Sequence, residues 1–124
     1  AYGIPFSIHI CGNTNGIIKD MGMTGAKILE VDWMLEMKEA RQLVPADTVL
    51  MGNIDPSFPL VLGSPADVEQ AVKNLIEATQ GRRHIISSGC AMGRNTPVDN
   101  FKAFIAATRR YGSYEEIQRL QAMK

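Results

Sequence analysis

Apolar positions along this chain fall into two alternating rhythms. Four short apolar stretches, residues 4–11 (IPFSIHIC), 27–32 (KILEVD), 48–54 (TVLMGNI) and 84–88 (HIISS), read as strands. Each is followed by residues spaced for a helix. After the first strand and a polar GNTNG turn, Ile17, Ile18 and Met21 mark a short helix. From Trp33 to about Leu43 the spacing predicts a second, with Trp33, Met34, Met37 and Ala40 on one side. Beyond Asp55-Pro56, Ser64 reads as an N-cap, Pro65 as the first helical residue and Asp67 as the partner of a near capping box. The apolar face of this third helix is Val68, Ala71, Val72, Leu75 and Ile76, and Gly81 stops it. Thr96-Pro97-Val98-Asp99 opens a fourth helix in the same way, packing through Phe101, Phe104, Ile105 and Thr108 and ending at Gly112. Ser113-Tyr114-Glu115-Glu116 reads as a capping box for a last helix carrying Ile117 and Leu120.

Four βα units and a terminal helix imply an α/β fold with a parallel sheet. A closed (β/α)8 barrel takes roughly 200 residues or more; this chain has 124. It therefore reads as half of such a barrel or as a small open sheet. Linkers and low-complexity tracts are absent, so residues 1–124 form one expected domain. A half-barrel leaves two strand edges and its inner face uncovered, and is expected to pair with the missing N-terminal half or with itself as a homodimer. The opening at Ala1, mid-strand and without Met, suggests a piece of something longer with no signal peptide.

Charge and cysteine content narrow the function classes. Thirteen basic and thirteen acidic residues give zero formal net charge, which offers no basic field for nucleic acid. No apolar run approaches the roughly 18 residues of a membrane-spanning helix. Two cysteines are too few for a disulfide framework and fit free thiols in a reducing, cytoplasmic setting.

The sharpest chemical feature is His9-Ile10-Cys11 at the end of the first strand, with Cys90 just after the fourth. Residues i and i+2 of a strand share a face, so His9 and Cys11 point the same way. Both cysteines sit at C-terminal strand ends, where parallel α/β folds collect their sites. One imidazole and two thiolates suit zinc, and three protein ligands with an open position are the catalytic pattern. Such an ion deprotonates a coordinated thiol, and the thiolate is the nucleophile. A lone His-x-Cys is a weak signal, and the plainer reading of the spacing is two thiols packed as small hydrophobes.

Glu30 and Asp32 are the candidate catalytic carboxylates. Glu30 lies deeper in its strand; Asp32 equally suits an N-cap for the helix expected from Trp33, and either could form a salt bridge. Asn53, Asp55 and Ser88 are candidate cofactor-binding residues around the same mouth, with a turn at Asp55-Pro56 the plainer reading. His84 begins its strand and is expected to be structural. Met21, Met23, Met34, Met37 and Met51 read as core filling, and Arg82-Arg83 and Arg109-Arg110 as solvated charge.

HICGNT, EVD, GNIDP and SSGC followed by NTP-VDN resemble, in order, the uroporphyrinogen decarboxylase superfamily. They are most similar to its methylcobamide:coenzyme M methyltransferase branch. The resemblance implies the last four units of a (β/α)8 barrel, with Zn2+ on His9, Cys11 and Cys90. It implies an exchangeable acceptor thiol, an acidic residue (best matched by Glu30) completing the sphere without it, and a methylcobamide donor on a separate corrinoid protein. The thiolate would take the methyl group from cobalt(III) and leave cobalt(I). Uroporphyrinogen decarboxylases themselves use no metal, so a metal-free lyase is the alternative, and a non-catalytic self-associating half-barrel a third. Ala91, where many relatives carry an acidic residue, and the absent first four strands depart from the pattern.

Overall fold

The computed structural model describes residues 2–123; Ala1, where the expected opening falls, lies outside them. Strands β1 (Ser7–Ile10), β2 (Ile28–Val31), β3 (Val49–Ile54) and β4 (His84–Ser88) pair in parallel in the order β1-β2-β3-β4. Helices α1 (Ile18–Met23), α2 (Met37–Leu43), α3 (Pro65–Thr79) and α4 (Val98–Tyr111) follow them, and α5 (Tyr114–Ala122) closes the chain. Consecutive parallel strands joined by right-handed crossovers put every connecting helix on one side of the sheet. This is the expected α/β half-barrel arrangement.

The helix side is the core. Leu29, Val31 and Leu50 of β2 and β3 are buried with Ile18, Met21, Met37 and Ala40 of α1 and α2. Ile54 is buried with Leu60 of the turn preceding α3 and with Val68, Val72, Ile76, Phe104 and Ala107 of α3 and α4. Each such aliphatic side chain contributes about 1.5–3 kcal/mol by leaving water. The alternating residues Ile28, Glu30, Met51 and Ile85 line the opposite, open face.

Several boundaries differ from the sequence pattern. β1 begins at Ser7 rather than Ile4, because β2, its partner strand, begins opposite it at Ile28. Ile4 is left exposed. α2 starts at Met37, not Trp33. The Asp32 carboxylate and carbonyl accept the N–H groups of Trp33 and Leu35, forming a turn that leaves Trp33 and Met34 exposed. Met23 is also exposed, so it fills no core. The α3 capping box is complete, with Ser64 Oγ accepting from Asp67 N–H and the Asp67 carboxylate accepting from Ser64 N–H. At α4 the Thr96 hydroxyl donates to the Gly93 carbonyl, so Pro97 occupies the N-cap position without a side-chain cap. Phe101 is exposed. Asn100 is buried in its place and donates to the carbonyls of Leu60 and Gly63. At α5, Ser113 Oγ accepts from Glu116 N–H while the Glu116 carboxylate turns to Arg119.

His84 is structural. One ring nitrogen, Nε2, lies 2.7 Å from the Gly52 carbonyl, and Nδ1 lies 2.9 Å from the Thr79 hydroxyl. Burial holds its pKa below the ordinary histidine value, against a smaller raising effect of the Gly52 carbonyl. The unfolded chain therefore binds a proton more readily than the folded one. The neutral ring's contribution is complete above the unfolded value of about 6.5 and is lost as pH falls through the folded one. The urea midpoint is expected to drop between pH 7.5 and 5, and to drop less in His84→Gln. Equal pH dependence in the two proteins would place the titration elsewhere.

Candidate metal centre

β1 carries His9 onto the open face, because Ile8 beside it packs on the core. His9 stands opposite Glu30 of β2 in register. Cys11 follows the last residue of β1, and Cys90 follows β4 by one residue beyond Gly89. The fold brings these ends together. His9 Nε2 lies 3.1 Å from Cys11 Sγ, and Cys11 Sγ lies 3.5 Å from Cys90 Sγ. Both thiols are free, Cys11 exposed and Cys90 half-buried. His9, Cys11 and Cys90 offer three ligand atoms within 4.8 Å of one another.

The donor set fits zinc. Zinc–sulfur bonds of about 2.3 Å and zinc–nitrogen bonds of about 2.0–2.1 Å at tetrahedral angles separate two sulfurs by about 3.8 Å and nitrogen from sulfur by about 3.6 Å. The His9–Cys11 and Cys11–Cys90 pairs, at 3.1 and 3.5 Å, need to open by only about 0.3–0.5 Å to reach those separations. The Cys11 thiol is held above its ordinary pKa, first by its hydrogen bond with Cys90, then by burial and by the charges of Cys90, Asp32 and Glu30. A cation reverses that balance, since a coordinated thiol is deprotonated.

The carboxylates take different places. Glu30 Oε2 lies 3.4 Å from His9 Nδ1, both groups being partly exposed. A carboxylate on that nitrogen leaves Nε2 as the lone-pair donor toward the cysteines. Asp32 is buried at 5% exposure just beyond β2. It accepts from Gly12 N–H at 2.6 Å and from Trp33 N–H at 2.8 Å, so it caps a turn rather than a helix.

The other candidates bond backbone or face the helix layer instead of joining the three donors. Asn53 is buried, and its amide donates to the carbonyls of Asp32 and Leu35. Asp55 accepts from Ser57 N–H, forming the expected turn. Asn53 and Asp55 line a groove of about 360 Å3 with Trp33, Phe58 and Leu75. Ser88 alternates with His84 and Ile86 toward the helix layer, leaving Ser87 on the open face. An added Cβ at Gly89 would collide with Trp33 N and reach 3.0 Å from Asp32 Oδ1, a close backbone approach that glycine permits.

The family model described as "Uroporphyrinogen decarboxylase (URO-D)" matches residues 1–111. The chain belongs to the uroporphyrinogen decarboxylase family. A uroporphyrinogen decarboxylase of Synechococcus sp. (strain CC9605) is 34% identical over 103 residues, which is 83% of this chain and 28% of that protein. One from Prochlorococcus marinus (strain MIT 9303) is 32% identical over 100 residues, 81% of this chain and 28% of that protein. A solved structure, a methyltransferase from Methanosarcina mazei, superposes with a TM-score of 0.78 at 28% identity, covering 90% of this chain and 32% of that one. The chain thus spans about a third or less of the relatives it matches. No helix among the described residues is long and apolar enough to cross a membrane.

Proposed function

We propose that this chain carries the zinc centre of a methyltransferase that moves a methyl group from a methylated corrinoid to a thiol such as coenzyme M. The observation that carries this reading is the meeting of His9, Cys11 and Cys90 from two distant strand ends, with ligand atoms within 4.8 Å. The structural likeness to a methyltransferase supports it. Bound there, the ion supplies the acidity that turns a coordinated substrate thiol into a thiolate at neutral pH. His9 holds its free lone pair toward the sulfurs, with Glu30 on its other nitrogen. Met51 stands beside Glu30 and Ile85 beside Met51 in register, giving the open face an apolar strip next to Glu30. Three protein ligands leave a fourth position for the acceptor.

Two free thiols at 3.5 Å suit the reducing cytoplasm, since an oxidising compartment would join them. The partners in this reading are a corrinoid protein, a small thiol, and the N-terminal half of the barrel against the open face and free strand edges. Self-association as a homodimer would cover the same surfaces.

Thiol-dependent demethylation of methylcobalamin by the full-length protein tests the reading. Loss of the rate on zinc removal and its return on zinc addition are expected; a rate indifferent to zinc would overturn it. The 34% identity to a uroporphyrinogen decarboxylase favours a second reading, a metal-free lyase acting on a polycarboxylate ring. Tight porphyrin binding by a zinc-free protein would select that reading instead.

A further inference from the structure

One carboxylate bonds the backbone just after Cys11 and belongs to the peptide that Gly89, just before Cys90, closely approaches. Asp32 sits between the end of β1 and the end of β4. Its Oδ2 accepts from the N–H of Gly12, the residue after Cys11, at 2.6 Å. Its Oδ1 accepts from Trp33 N–H at 2.8 Å. Gly89, the residue before Cys90, is seated on the same Asp32–Trp33 peptide, so closely that a Cβ there would strike Trp33 N and lie 3.0 Å from Asp32 Oδ1. The Gly89 N–H is tied to the Ile54 carbonyl at 2.7 Å, which fixes that end from the β3 side. Gly12 has φ +87°, a conformation natural to glycine, and the short charge-assisted bond from its N–H holds the turn after Cys11.

We propose that Asp32 is the positioning residue of the metal centre: its carboxylate sets the Gly12 turn and the Gly89 seat, and thereby holds Cys11 and Cys90 at bridging distance before any ion binds. The proposal rests on the metal-site reading for its purpose, but not for its geometry. The two N–H groups bond different oxygens of one buried carboxylate. An amide has one acceptor oxygen and an NH2 group, so Asp32→Asn, with almost the same volume, leaves one of these N–H groups facing a donor.

The full chain and its D32N variant are compared with two probes. Cobalt(II) reports the ligand set through its sulfur charge-transfer and d–d absorption. Phenylarsine oxide reports the sulfur pair without a metal, since its arsenic(III) bonds both sulfurs and releases water. D32N is expected to bind cobalt(II) about 10–100-fold more weakly with shifted bands, and to capture the arsenical about tenfold more slowly. Wild-type behaviour of D32N toward both probes would overturn the proposal and leave the metal reading standing. Capture of the arsenical by a wild-type chain that binds no cobalt(II) would overturn the metal reading, and the arsenical comparison would still decide the role of Asp32. If D32N does not fold, the Gly12 amide of the metal-free wild type decides. Hydrogen exchange as slow as that of strand amides supports the proposal, and exchange at the rate of an open loop overturns it.

Discussion

Cys90→Ser is expected to leave the full chain folded and to weaken zinc binding by roughly 10²–10³-fold. A structural zinc site with four ligands is worth about 10–16 kcal/mol, so one ligand corresponds to roughly 2.5–4 kcal/mol. A serine hydroxyl does not ionise near neutral pH and is a poor substitute for a soft thiolate. The fold should survive because Cys90 is half-buried and lies outside both core clusters, with its Sγ 3.5 Å from Cys11 Sγ. Zinc content after dialysis against a weak chelator, read beside circular dichroism and the urea midpoint, separates ligand loss from unfolding. A C90S chain that keeps zinc at the wild-type level would remove the sulfur pair from the centre. Cys11→Ser should behave in the same way, because the two thiols are equivalent members of one set.

Much of this arrangement was legible in the residues. The strands and helices follow from period and from caps such as Ser64, Pro65 and Asp67, which act locally. The His9–Cys11 pairing on one face follows from strand geometry alone. What could not be read is where neighbouring backbone supplies or withholds a partner. β1 is shorter than its apolar run because β2 starts at Ile28. α2 is shorter than its apolar spacing because Asp32 captures the N–H groups that would begin it. Asp32 itself looked like a carboxylate at a strand end, equally suited to catalysis or to capping; only the Gly12 and Gly89 contacts show that it faces backbone on both sides. The distance between Cys11 and Cys90 lies in the same class. Position at strand ends placed both at one mouth, while their actual approach depends on the registers of three strand pairs.

Gly52→Ala is expected to cost about 3–5 kcal/mol, a large part of the 5–15 kcal/mol that holds a domain together. Two independent penalties add at this position. Gly52 has φ +131°, a backbone conformation that residues with a Cβ rarely adopt. An added Cβ would also lie 2.5 Å from the Val31 carbonyl oxygen. That oxygen belongs to the central strand β2, whose side chains Leu29 and Val31 are fully buried, so it cannot retreat as a flexible side chain would. Gly25→Ala is the control, because Gly25 has φ +84° and open space where its Cβ would go. It should lose only the backbone part, about 1–2 kcal/mol. Equal urea midpoints for the two variants would mean that the β2–β3 spacing relaxes around the methyl group. The consequence reaches the sulfurs if it does not. Gly52 precedes Asn53, whose amide holds the Asp32 and Leu35 carbonyls, and its own carbonyl meets His84. Pushing β3 away from β2 therefore disturbs the turn on which Gly12 and Gly89 are seated. Any folded G52A chain should lose affinity for cobalt(II) as well as stability.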